Sequence, residues 1–162
     1  MMRTNAFSRK LRAGGPRGQA LPEFAIGALV ALMLIFGVIE VGRIFLVYTT
    51  VTDAARQGAR YAVTHGTNPN DTTATSAQVS AMQADVQTVV KSFLAPGTVN
   101  INAGGLTITT AFPNMTCVGG TCTGTTPGNL VQVTVSYPYD LLIPYYSINV
   151  TLAGTSQGVI TW

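Results

Sequence analysis

The chain has 162 residues, of which only 9% are charged, against about a quarter in an ordinary soluble domain. That length holds one modest domain and an appendage, and the shortage of charge points to a membrane segment or a densely packed assembly. The charge is also lopsided. Arg3, Arg9, Lys10, Arg12 and Arg17 precede Leu21 with no acidic residue among them, whereas from Tyr61 onward Lys91 alone stands against Asp71, Asp85 and Asp140. A nucleic-acid site presents its basic side chains on a folded face, interleaved with aromatic or polar readers. Here they sit in a Gly-rich tip, so no nucleic-acid partner is expected.

The first predicted element begins in "RGQALPEFAIGALVALMLIFGVIE", from Arg17 to Glu40. Phe24 to Ile39 carries no charge, about 24 Å of helix at ~1.5 Å per residue. With Leu21, Pro22, Val41 and Gly42 it approaches the ~20 residues that span a bilayer. The basic leader stays cytoplasmic by the positive-inside bias, and the C-terminal part faces the periplasm or the exterior. A cleaved secretory signal would have an apolar core of ~7–15 residues ending in a small-x-small site. The run here is longer, and its helical pattern continues through "EVGRIFLVYTTVTDAARQGARYAV". A plain anchor explains length and charge bias but not Glu23, because a carboxylate at the edge of hydrocarbon is costly and usually functional.

From Val41 the pattern becomes amphipathic. Val41, Ile44, Phe45, Tyr48, Thr52, Ala55, Ala59 and Ala62 recur at three- and four-residue spacing and predict the buried stripe of a helix over 20–65. Glu40 and Arg43 stand at i, i+3, where they can form a local salt bridge or a contact between subunits. Ala55, Gly58, Ala59 and Ala62 permit close approach, either to a neighbouring helix or to the chain's own sheet.

Beyond the loop "HGTNPNDTTAT", the residues Thr75–Gln78 read as a capping box. A second helix follows on Val79, Met82, Val86, Val89, Val90 and Phe93, stopped by Pro96 and Gly97. Strands dominate thereafter. Leu106, Ile108 and Thr110 alternate, as do Val131, Val133, Val135 and Tyr137. "YPYDLLIP" reads as a Pro-bounded connection, and "SINVTLAG" and "GVITW" as closing strands. Cys117 and Cys122 flank "VGGT". With Gly119 and Gly120 as a two-residue turn, the cysteines fall on opposed positions within bridging reach, and an oxidising outer compartment favours a disulfide. The pair alone lacks the further ligands that a metal needs.

No catalytic constellation can be assembled. His65 is the single histidine, and no Ser-His-acid set, carboxylate pair or phosphate loop is present. Asn68, Asn70 and Asp71 lack EF-hand spacing, and "AGG" at 103–105 is a turn. No enzyme activity, cofactor or metal is expected.

The N-terminal residues resemble a type III/IV prepilin signature: a basic leader, Gly18, then Glu23 and Phe24 ahead of a long apolar helix. Cut after Gly18, Gln19 becomes the first residue and Glu23 the fifth. The segment from Arg17 to Ala62, with Glu40, Gly42, Arg43, Ala54, Ala55, Arg56, Gly58, Ala59, Arg60 and Ala62 in place, resembles the TadE-like family of minor pilins or pseudopilins of Flp-type Tad pili. Pro22 stands where that family more often has an aliphatic residue, and a proline often seen near Leu29 is missing, which implies an unkinked helix.

The resemblance implies an α+β, pilin-like fold, in which a second helix packs on a small antiparallel β-sheet. Its parts are a leader over 1–18, a transmembrane and assembly helix over 19–41, an amphipathic outer half over 42–65, and a periplasmic or extracellular domain over 66–162. It also implies a single pass through the bacterial inner membrane and cleavage after Gly18 by a prepilin peptidase. Glu23, Glu40 and Arg43 would serve assembly with other pilin subunits and an inner-membrane platform, and the product could enter an extracellular pilus. The alternatives are an uncleaved single-pass scaffold or binding module, and a tethered enzyme for which no residues are found.

Overall fold

The structure is a computed structural model that describes residues 20–66, 73–96, 99, 104–141 and 150–161. The expected leader, Gly18 and Gln19, the loop residues Asn68, Asn70 and Asp71, and the start of "SINVTLAG" lie outside the described residues. The chain divides into two compact units, residues 1–39 and 40–162.

Helix α1 runs from Ala20 to Thr64. Its first turn contains Pro22, which is tolerated there because the first N–H groups of a helix have no intrahelical partner. No later proline interrupts it. Within the first unit its side chains are exposed all round, Leu21, Phe24, Ile26, Leu29, Met33 and Phe36 among them. A helix apolar on every side is suited to hydrocarbon rather than water. Among the described residues α1 is the one helix long and apolar enough to cross a membrane.

In the second unit α1 continues to Thr64, where His65 stacks on Tyr61 at a centroid distance of 4.1 Å. Strand β1 (Ala74–Thr75) leads directly into α2 (Ser76–Leu94). The capping box is present: Gln78 N–H donates to Thr75 Oγ1, and Thr75 N–H donates to Gln78 Oε1. The remaining strands are β2 (Thr107–Ala111), β3 (Thr116–Val118), β4 (Thr121–Thr123), β5 (Leu130–Tyr139) and β6 (Val150–Val159). They divide between two antiparallel three-stranded sheets, ordered β1-β4-β3 and β2-β5-β6, where the sequence suggested one. The fold is thus α+β, a long apolar helix followed by a second helix and small antiparallel sheets.

The larger sheet buries one face. Ile108, Val131, Val133, Val135 and Leu152 point into a core shared with α1 and α2, and each fully buried valine contributes roughly 1.5–3 kcal/mol relative to exposure. Two glycines let the layers meet. A Cβ on Gly58 of α1 would stand 2.7 Å from Val90 of α2 and 3.1 Å from Val133 of β5. A Cβ on Gly154 of β6 would stand 2.7 Å from the Thr52 Cα of α1 and 3.0 Å from its backbone N. The small residues Ala55, Gly58, Ala59 and Ala62 therefore seat α1 on the rest of its own unit.

Several sequence expectations shift. The buried stripe of α1 is Glu40, Val47, Val51, Ala54, Ala55, Ala59 and Ala62, while Val41, Phe45 and Tyr48 are exposed. The two sets share Ala55, Ala59 and Ala62 and differ before them, where Val47 and Val51 turn inward instead of Phe45 and Tyr48. In α2 the inward position near the C-terminus is Leu94 rather than Phe93, which is 40% exposed. The first three residues of "YPYDLLIP" are not a connection, since β5 continues through Pro138 to Tyr139; residues 142–144 lie outside the described residues. Strand β2 begins at Thr107 opposite Ser136, so Pro138 has a strand neighbour, Thr151, on one side only, and a proline is tolerated where one side makes no ladder hydrogen bond. The two closing strands merge into β6, which pairs with β5 from Leu130↔Val159 to Tyr139↔Val150.

The hairpin forms as expected. Cys117 opposes Cys122 and Val118 opposes Thr121; Gly119 and Gly120 take φ of 60° and 87°, as a primed two-residue turn requires. The cysteines are joined in a disulfide, and Ser76 N–H at the start of α2 donates to the Gly120 carbonyl at 3.0 Å.

Two glycine-to-alanine changes should act with opposite sign. Gly154→Ala drives a methyl into the Thr52 backbone and should destabilise the second unit by about 1–3 kcal/mol. Gly42→Ala meets open space and should stabilise α1 by up to about 1 kcal/mol. Thermal melts of the two variants beside the parent protein check both.

Candidate functional site: the two glutamates of the first helix

Helix α1 carries two acids at the limits of its apolar stretch, and the structure treats them differently. Glu23 lies in the first turn, where a carboxylate is favoured by the positive end of the helix dipole. It is exposed, as is Phe24 beside it. Among the described residues Glu23 has no hydrogen-bond or ion-pair partner.

Glu40 is buried, 6% exposed. A carboxylate removed from water is costly unless strong donors replace its hydration. Two such donors are in place. Tyr139 Oη donates to Glu40 Oε1 at 2.9 Å, and Arg43 Nη1 donates to Glu40 Oε2 at 3.1 Å. The Arg43 guanidinium also lies over the Tyr139 ring, 5.6 Å from its centroid, within the range of a cation–π contact. Carboxylate, phenol and guanidinium thus close a three-membered cluster. Burial, the hydrogen bond to Glu40 and the negative charge of Glu40 together raise the Tyr139 pKa above its ordinary value of 10.0.

The i, i+3 spacing led to the Arg43–Glu40 pair but not to Tyr139, which is 99 residues from Glu40 in sequence. A signal for it was present. The alternation Val131, Val133, Val135, Tyr137 reaches Tyr139 two residues further on, and reading Pro138 as a break hid it. Gly18 and Gln19 lie outside the described residues. Cys117 and Cys122 form their disulfide in the β3–β4 hairpin, apart from this cluster in the strand pairing.

Over residues 18–60 the chain matches the family model described as TadE-like protein. The matched segment ends within α1 and contains Glu23, Glu40 and Arg43; Tyr139 lies beyond it. No curated protein and no solved structure gives a significant match.

Replacing Tyr139 by phenylalanine removes the donor from a buried carboxylate and should destabilise the second unit by about 1–3 kcal/mol at neutral pH. The pH dependence has a defined sign. The folded-state pKa of Tyr139 is raised, so the stability it contributes is fully present below pH 10.0 and is lost as the pH rises through the folded-state value. The gap between the parent and Tyr139→Phe should therefore narrow above that pH. Melts followed by circular dichroism from neutral to strongly alkaline buffer measure it.

Proposed function

We propose that this TadE-like chain is a structural pilin-like subunit of a Tad (Flp-type) pilus system. In this reading α1 inserts in the bacterial inner membrane with the basic leader inside and the second unit in the periplasm. A prepilin peptidase cuts after Gly18. The processed subunit then joins other pilin or pseudopilin subunits at an inner-membrane assembly platform, to prime, cap or decorate a filament.

The observation that supports it is the contrast between the two acids. Glu40 is satisfied within its own unit, whereas Glu23 stands exposed in the first turn of a helix whose neighbouring side chains are suited to hydrocarbon. Cleavage after Gly18 creates an α-amine at Gln19. In a filament whose helices form a dry core, the new amine of one subunit needs a counter-charge, and Glu23 of a neighbour supplies it. At an effective dielectric near 20, a pair ~4 Å apart gains ~4 kcal/mol, part of which desolvation cancels. Arg43 and Glu40 serve assembly indirectly in this reading, by holding the outer end of the helix to β5.

Pro22, beside the cut site, favours a second reading, in which the chain stays uncleaved and displays its outer unit as an envelope scaffold.

Co-expression with a prepilin peptidase and measurement of the intact mass separates the two. A mature chain starting at Gln19 is expected; one that keeps Arg17 and the residues before it leaves the scaffold reading. Glu23→Ala should preserve insertion and the fold of the second unit but lower recovery in sheared filaments by about tenfold or more, as read by immunoblot.

A further inference from the structure

The β2-β5-β6 sheet has two edges, and they are finished in different ways. Along β2 lies α2, whose glutamines reach the strand: Gln83 Nε2 donates to the Thr110 carbonyl at 3.0 Å and Gln87 Nε2 to the Ile108 carbonyl at 3.4 Å. These outward carbonyls are already occupied. Strand β6, ten residues long, pairs with β5 on one side, and among the described residues no strand pairs with its other side. Its sequence, VTLAGTSQGV, contains no charge and no proline. Those are the devices that normally blunt an exposed edge, where every second residue offers an unpaired N–H and C=O.

A groove of about 410 Å³ runs beside this edge. Ser156, Gln157 and Gly158 of β6 form one wall, and Arg56, Arg60 and Val63 of α1 the other. Arg56 shares its charge with exposed Asp53, 3.0 Å away. Arg60 has no ion pair among the described residues, and β6 offers no carboxylate to either guanidinium.

We infer that the β6 edge accepts an extended strand from a different protein chain, and that this strand carries an acidic side chain which docks against Arg56 and Arg60. Strand addition supplies main-chain hydrogen bonds, and alternate side chains of the incoming segment turn toward α1. One carboxylate opposite Ser156–Gly158 then meets the guanidiniums and sets both register and choice of partner. A second copy of this chain fits less well: its β6 has no acid to offer, and its β2 edge is covered by α2. The inference goes beyond the pilus reading and does not depend on cleavage or filament formation.

The test uses the full chain in detergent micelles and three acetylated ten-residue peptides of alternating valine and threonine. One ends in two glutamates, one in two lysines, and one carries the glutamates on a backbone N-methylated at alternate residues. Binding is followed by fluorescence anisotropy, and amide protection by hydrogen exchange. The glutamate peptide should bind about fivefold more tightly than the lysine peptide, the effect of two exposed ion pairs, and should slow exchange in 150–159 but not in 107–111. The N-methylated peptide should not bind. In the double variant Arg56→Glu, Arg60→Glu the preference should reverse, while the circular dichroism spectrum stays that of the parent. Equal affinity for the acidic and basic peptides, protection at β2 instead of β6, or no binding at millimolar peptide would overturn the inference. So would protection of β6 in the protein alone accompanied by dimerisation, which would make a second copy the occupant.

Discussion

A buried carboxylate constrains most of what surrounds it. Once Glu40 is withdrawn from water, donors must be held against both of its oxygens. Tyr139 and Arg43 meet that demand. The first does so from the far end of β5, so the strand has to run straight through Pro138 and keep its alternation to place a phenol there. Arg43 comes from one turn along the same helix and covers the phenol as well as the acid. One polar contact thereby ties the point where α1 enters its outer unit to the end of the central strand of the larger sheet.

Apolar packing then fixes the rest of that unit. Helix α1 lies close enough to β6 that only a glycine fits at 154, and close enough to α2 and β5 that only a glycine fits at 58. Such contacts need small side chains on the helix, which is why the buried stripe passes through alanines and valines and leaves Phe45 and Tyr48 outside. Dense contact of this kind is intolerant of added volume.

The two glutamates of α1 show how one residue type serves different ends according to its surroundings. Glu40 is a folding group: its partners are internal and its charge is consumed by them. Glu23 has no such partners among the described residues, and the side chains around it are ones that water solvates poorly. The sheet edges show a similar division. Side-chain amides of α2 finish β2, while among the described residues no strand pairs with the outer side of β6.

Much of the molecule was legible in the sequence because the signals were local. An uninterrupted apolar run, a capping box at Thr75–Gln78, a Gly-Gly turn between two cysteines and valines alternating from 131 to 135 each depend on neighbours a few residues away. The TadE-like pattern around Gly18, Glu23, Glu40 and Arg43 was equally readable, since it lies within one helix and its approach. What the tertiary structure decided were choices among locally equivalent options. The stripe expected on α1 through Val41, Phe45 and Tyr48 gave way to one through Val47 and Val51. Pro138 looked like a break until β2 proved to pair no further along β5 than Ser136, which leaves the proline a strand neighbour on one side only. Tyr139 could become the partner of Glu40 only when pairing across 99 residues brought it there. Periodicity and capping follow from backbone geometry over a turn or two, so sequence alone determined them; which face is buried, and which acid is satisfied, depend on atoms that only folding brings within reach.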